Sequence, residues 1–413
     1  MLLRARIVLP ISRPPIFDGA VRVASGRVVE VGTWRDMSGE ALDLGEVILM
    51  PGMVNPHCHL DYTSMAGRVP VPGSFNDWIT GIMHCKNDMS DEAWRVSWLR
   101  GSAQCLKNGM TSVGNIETRP DLLPTLWPET PLRLLSFMEL IVVRPESDSV
   151  SRVRETADWL KSHRPQRGCV GLSPHAPYTV KPDALHECVE LARENDWRMA
   201  MHISESADEE AMYRSCRGPL FRRLAGVGRD MSDCGQSPVQ CVSAHGILSD
   251  RLLAIHVNYL DDNDLHLLAG SGTSVVHCPR SHKYFEHTPF RFMEVRASGV
   301  NVSLGTDSLA TVCEPNAELD MFSEMRQFRD IHPEEKLDLI VQMATMNGAR
   351  ALGWAGKVGE ISTGAFADMV AIPFAGSVAG AFGAVVEHTG PLAVMLDGHW
   401  EVPPPSFESG EHE

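Results

Sequence analysis

From Val47 on, and up to residue 360, eight short strand-like runs recur with helix-patterned stretches between or after them. That alternation restricts the fold more than any other feature of the chain. The first run, Val47–Val54, reads as a buried strand and leads into His57-Cys58-His59; the others are Thr111–Ile116, Leu132–Leu140, Cys169–His175, Arg198–Glu205, Leu252–Tyr259, Thr273–Pro279 and Val300–Asp307. Asp183–Asn195 and Glu335–Leu352 carry the helical period. Eight strand–helix units predict an α/β chain folded as a (β/α)8 (TIM) barrel, with chemistry at the C-terminal strand ends. A doubly wound open sheet is the rival, but it would not bring side chains from the first, fifth and eighth strands to one point.

The flanks read differently. Near the start, Ala20–Val23 and Arg27–Gly32 alternate around Ser25-Gly26, a hairpin signal. Near the end, Gly364–Ile372 and Pro391–Trp400 read as further strands, and Pro403–Glu413 as a polar tail. The expected organisation is a composite β-sandwich lobe from residues 1–50 and 361–413 around a barrel of residues 51–360. At 413 residues the chain exceeds the usual single core of about 250–300, which suits a barrel with an appendage.

A formal charge of −16 disfavours nucleic acid and anionic membranes as partners. Ten cysteines without a Cys-x-x-Cys spacing suggest reduced thiols rather than a zinc ribbon or a disulfide framework. The N-terminus lacks a secretory apolar core, and no run has the length of a membrane helix. A cytoplasmic protein acting on a small molecule is expected, with a homodimer left open.

Polar residues crowd the strand ends. His57 and His59, one residue apart, point the same way from a strand end. Ser173-Pro174-His175, Met201-His202-Ile203-Ser204-Glu205, His256-Val257-Asn258, His277-Cys278-Pro279-Arg280-Ser281-His282 and Gly305-Thr306-Asp307-Ser308 follow. One histidine alone reads as a core or surface imidazole; the recurrence reads as a metal site. Three imidazoles and a carboxylate suit one divalent ion, zinc first and iron(II) second, with a position left for water. His57, His59, His202 and Asp307 are the expected ligands. Glu205, three residues past His202, is the expected proton shuttle. His256 and Asp307 are placed to hydrogen-bond the nucleophile. His175 is expected to touch substrate or orient a ligand; no role is assigned to Arg280, Ser281 or His282.

These stretches, with Pro51–Leu60 and the return Gly359–Val370, resemble the amidohydrolase superfamily in its cytosine, guanine and adenosine-analogue deaminase branch. The resemblance spans nearly the whole chain and implies a metal-dependent barrel that removes ammonia from an aromatic amidine-like carbon. Leu60–Thr63 and Pro72–Ile79 are most similar to aminodeoxyfutalosine deaminases, with methylthioadenosine and S-adenosylhomocysteine deaminases as near neighbours. Within that resemblance Trp78 lies against the purine nucleoside; packing of its helix is the structural alternative.

The chain also departs from that pattern. A glutamate expected after the tryptophan, there to hold ribose hydroxyls, is replaced by His84-Cys85-Lys86-Asn87-Asp88. On the sixth strand a second histidine is missing, and Asn258 stands nearby. Other readings are a deaminase of another nucleobase, a triazine-type hydrolase on the same site, a binuclear hydrolase lacking its fourth-strand lysine, and a non-catalytic barrel scaffold.

Overall fold

The computed structural model describes residues 1–69, 73–313 and 316–404. Pro72 and most of the expected tail lie outside the described residues. The described residues form sixteen strands: β1 Leu2–Val8, β2 Ile16–Ala24, β3 Arg27–Thr33, β4 Leu42–Asp43, β5 Val47–Pro51, β6 Met53–Cys58, β7 Met110–Glu117, β8 Arg133–Leu140, β9 Gly168–Pro174, β10 Met199–Ile203, β11 Leu252–His256, β12 Ser274–His277, β13 Val302–Leu304, β14 Met369–Pro373, β15 Ala393–Leu396 and β16 His399–Val402.

Strands β6 to β13 pair in sequence order as one parallel sheet. This is the expected (β/α)8 barrel, and all eight sequence-predicted strands are present. Its seam is a parallel bridge between Cys58 and Asp307. The Thr306 and Asp307 amides both donate to the His57 carbonyl at 3.2 Å, and Asn55 exchanges two hydrogen bonds with Thr306 at 2.8 and 3.1 Å. Gly305 is required at that seam, since a Cβ there would lie 2.8 Å from Val276 Cγ1. Closing the barrel thus sets His57 beside Asp307.

Both chain ends build a second, mixed sheet ordered β16-β15-β14-β5-β1-β2-β3, with β4 on β1. The Ser25-Gly26 turn has φ of 50° and 72°, the positive pair that a tight hairpin demands. Asp397-Gly398, at 47° and 78°, repeats the device between β15 and β16. The sheet packs its own core of Leu3, Val21, Leu49, Met369 and Met395. It sits at the N-terminal end of the barrel strands: Arg133, first residue of β8, donates to Asp368 at 3.0 Å and Asp397 at 2.7 Å.

Two expectations on element bounds are corrected. The run Val47–Val54 is two strands, because the chain leaves the lobe sheet and enters the barrel at Gly52. A Cβ at Gly52 would lie 2.2 Å from Thr111 Oγ1, so only glycine permits the crossing. The helix over Glu335–Leu352 is two helices, Leu337–Met343 and Met346–Ala351. Thr345 breaks it at φ −136°, ψ −94°, and its hydroxyl donates to the Val341 carbonyl at 2.6 Å.

Candidate active site

At the C-terminal mouth of the barrel, β6 and the turn after it deliver His57 and His59, β10 delivers His202, β11 His256, and the end of β13 Asp307. The His57 ring centroid lies 4.9 Å from His59, 5.0 Å from His202 and 5.8 Å from His256. One nitrogen from each of His57, His59 and His202 lies within 4.8 Å of the others, as do donor atoms of His57, His256 and Asp307. Asp307 Oδ1 is 3.4 Å from His57 Nε2 and 3.7 Å from His59 Nε2. All the side chains expected as ligands converge.

The electrostatics suit a cation. Burial lowers the pKa of His57, His59 and His256 well below the usual imidazole range and that of His202 to about 4, so the rings are neutral and keep a lone pair. Burial works against the Asp307 carboxylate, yet His256, His59 and the Ser281 hydroxyl hold its pKa below the ordinary range. Both His57 nitrogens, His59 Nδ1 and His256 Nε2 are buried without a hydrogen-bond partner. Orphaned nitrogens facing a carboxylate are costly unless a ligand completes them. Three imidazoles and one carboxylate are the donor set a divalent ion takes.

Glu205 is buried, with Oε1 3.5 Å from His256 Nε2. Burial, then the charges of Asp307 and Glu209, push its carboxyl well above the usual range. Its backbone is clasped from two sides. Glu209 accepts from the Ser204 and Glu205 amides at 3.1 and 2.7 Å, and Asn258 Nδ2 donates to the Glu205 carbonyl at 2.9 Å. Ser204, His256, Val257 and Asp307 all take positive φ, from 51° to 72°. For a β-branched residue such as Val257 that is a strained conformation.

The residues left without a role buttress this centre. His282 Nδ1 lies 3.0 Å from Asn258 Oδ1, Ser281 hydrogen-bonds Asp307, and the Arg280 amide donates to Glu324 at 3.0 Å. His175 stands between the cavity and His202. Its ring lines the cavity, and its carbonyl faces His202 Nδ1 at 3.0 Å. Trp78 lines the cavity too, and it packs on Phe75 with centroids 5.5 Å apart while its indole N–H reaches the Ala310 carbonyl.

The cavity above the cluster has a volume of about 470 Å3 and includes four charged residues to which sequence reasoning gave no role, Lys86, Glu139, Arg144 and Arg223. Glu139 sits near the C-terminal end of β8, so the strand-end rule was the signal that pointed to it. Glu117, at the end of β7, obeys the same rule but is a packed residue: Trp98 Nε1 and Ser136 Oγ donate to it at 3.1 and 2.9 Å.

A closed parallel barrel whose mouth gathers neutral imidazoles around one carboxylate is the framework of a metal-dependent hydrolase. The chain belongs to the amidohydrolase family, whose family model matches residues 48–400. It is 30% identical over 382 residues to the 5-methylthioadenosine/S-adenosylhomocysteine deaminase of Nitratidesulfovibrio vulgaris, covering 87% of this chain and 80% of that one. A zinc-bound adenosine deaminase from Xanthomonas campestris superposes with a TM-score of 0.81 at 25% identity, over 97% of this chain and 92% of that one. Helicobacter pylori aminofutalosine deaminase, in complex with methylthio-coformycin, shares the fold at a TM-score of 0.85 and 21% identity, over 97% and 99%.

Proposed function

We propose that this protein is a mononuclear metal aminohydrolase that removes ammonia from the adenine ring of a nucleoside-like compound. The observation that carries the reading is the placement of a buried, high-pKa Glu205 beside His256 at the edge of the imidazole–carboxylate cluster. The names of the relatives support the substrate class.

His57, His59, His202 and Asp307 would hold the ion, with zinc preferred over iron(II). Bound there, a divalent ion lowers the pKa of a water toward neutrality and so makes hydroxide available at ordinary pH. Glu205 takes a proton from the attacking water and passes it to the ring nitrogen beside the reacting carbon. Its raised proton affinity lets it take the proton of the water more readily than an ordinary carboxylate would. Asp307 accepts the second proton and hands it to the departing amine, while His256 hydrogen-bonds the nucleophile. His175 and Trp78 line the cavity where the purine would lie.

No helix among the described residues is long and apolar enough to cross a membrane. With ten free cysteines, the cytoplasm is the compartment we assign. The reading is tested by incubating the metal-loaded protein with adenosine, methylthioadenosine, S-adenosylhomocysteine, 5′-deoxyadenosine and aminodeoxyfutalosine and measuring ammonia. Metal analysis by mass spectrometry runs in parallel. Release from at least one compound, lost in Glu205→Gln with the metal retained, is the expected result; no release from any compound rejects it.

A further inference from the structure

Three carboxylates line the cavity: Glu205, Asp307 and Glu139. Glu205 and Asp307 each face a histidine ring within 4 Å. Glu139 faces none. Among the described residues, no donor reaches its carboxyl within hydrogen-bond or ion-pair distance. It stands on β8, opposite Ser173 in the ladder, and its charge is felt at His202, Tyr62 and Tyr178. It is half-buried and shares the cavity lining with all three. A half-buried carboxylate loses water when a ligand enters, at a cost unless the ligand brings donors of its own.

Lys86 faces the same cavity from the helix Phe75–Asn87. Its ammonium donates to the Tyr62 hydroxyl at 2.7 Å and has no ion-pair partner among the described residues. The inner cavity therefore offers an acceptor-only group and a donor-only group that do not satisfy each other. The wall also carries the apolar Ile79, Met83, Ile141 and Val227 and the two arginines Arg144 and Arg223.

We propose that Glu139 is the sugar-binding residue, its carboxylate accepting hydrogen bonds from the ring hydroxyls of the nucleoside while Lys86 donates to a sugar oxygen. The proposal rests on the nucleoside deaminase reading above. With the adenine edge turned to the metal cluster and Glu205, the sugar occupies the next layer outward. Its vicinal hydroxyls are a donor pair that the two oxygens of one carboxylate can take together.

The test compares kcat/KM for adenosine and 2′,3′-dideoxyadenosine in the wild-type protein and in Glu139→Leu, with metal content and melting temperature measured on both. The wild type is expected to favour adenosine by about 10- to 100-fold, the worth of hydrogen bonds to a charged group. Glu139→Leu should bring the ratio near one by slowing adenosine alone. Glu139→Gln, which keeps one acceptor, should fall between and provides the same readout if the leucine variant folds poorly. Lys86→Met should slow adenosine while leaving the hydroxyl preference in place. A preference that survives in Glu139→Leu, or an equal loss on both substrates with metal retained, overturns the assignment while the deaminase reading stands. Metal-loaded wild type that releases no ammonia from any nucleoside overturns both.

Discussion

The Nδ1 of His202 lies 3.0 Å from the main-chain carbonyl of His175, whose oxygen also accepts the His202 amide at 2.9 Å. A carbonyl can only accept, so Nδ1 carries the ring proton and Nε2 keeps its lone pair toward His57 and His59. The fourth-strand histidine thus acts on the fifth-strand one through its backbone. His202→Ala should drop metal content to below about a tenth of wild type and abolish turnover, while far-UV circular dichroism stays that of the native barrel. Full metal occupancy in that variant would contradict the ligand assignment.

Glu205→Gln keeps the shape of the side chain but cannot carry a proton. Turnover should fall by about 10²- to 10⁴-fold, with metal content unchanged. A loss smaller than tenfold would show that another group moves the proton.

Asn258 stands next to the place where the resemblance leads one to expect a second histidine, and its amide bridges the Glu205 carbonyl and the His282 ring. Asn258→Leu leaves that carbonyl without its donor and lets Glu205 drift. We expect kcat to fall about tenfold with KM and metal content unchanged, since placement errors of this kind weaken the reacting step more than binding. A fall confined to melting temperature would mark Asn258 as a packing residue only.

Glu117 provides a pH signature away from the site. Burial raises its carboxyl to about 7, above the unfolded value near 4.5. The folded chain therefore binds more protons than the unfolded one between pH 4.5 and 7, and stability falls as pH rises through that window. Glu117→Gln, whose amide oxygen can still accept from the Trp98 indole while its NH2 faces the Ser136 hydroxyl, should flatten that slope and raise stability at pH 8 by on the order of 3 kcal/mol. Urea titrations at pH 5 and 8 check this; parallel curves for the two proteins would refute it.

Much of the fold was legible because the barrel strands combine a short apolar run with a polar end, as in Met199–Ile203 followed by Ser204-Glu205. Convergence of His57, His202 and Asp307 follows from barrel closure, so spacing along the chain was enough to anticipate it. The division at Gly52 was hidden because the apolar run continues across it; only the close approach of Thr111 reveals why glycine stands there. Glu139 and Lys86 were missed for a different reason. A lone charge on a strand or helix looks like a solvated face until the opposing elements show that it borders a cavity. Asn258 was noticed as a departure, but its part depends on the positive φ of His256 and Val257, which no propensity foretells.

The Arg133 contacts with Asp368 and Asp397 fix the lobe at the end of the barrel away from the histidines. The first residue of the chain is held in that lobe, its amino group donating to the Val23 carbonyl at 2.9 Å. Anchoring the protein to a bead or an electrode through its N-terminal strand would therefore leave the opening that admits substrate directed at the bulk solution.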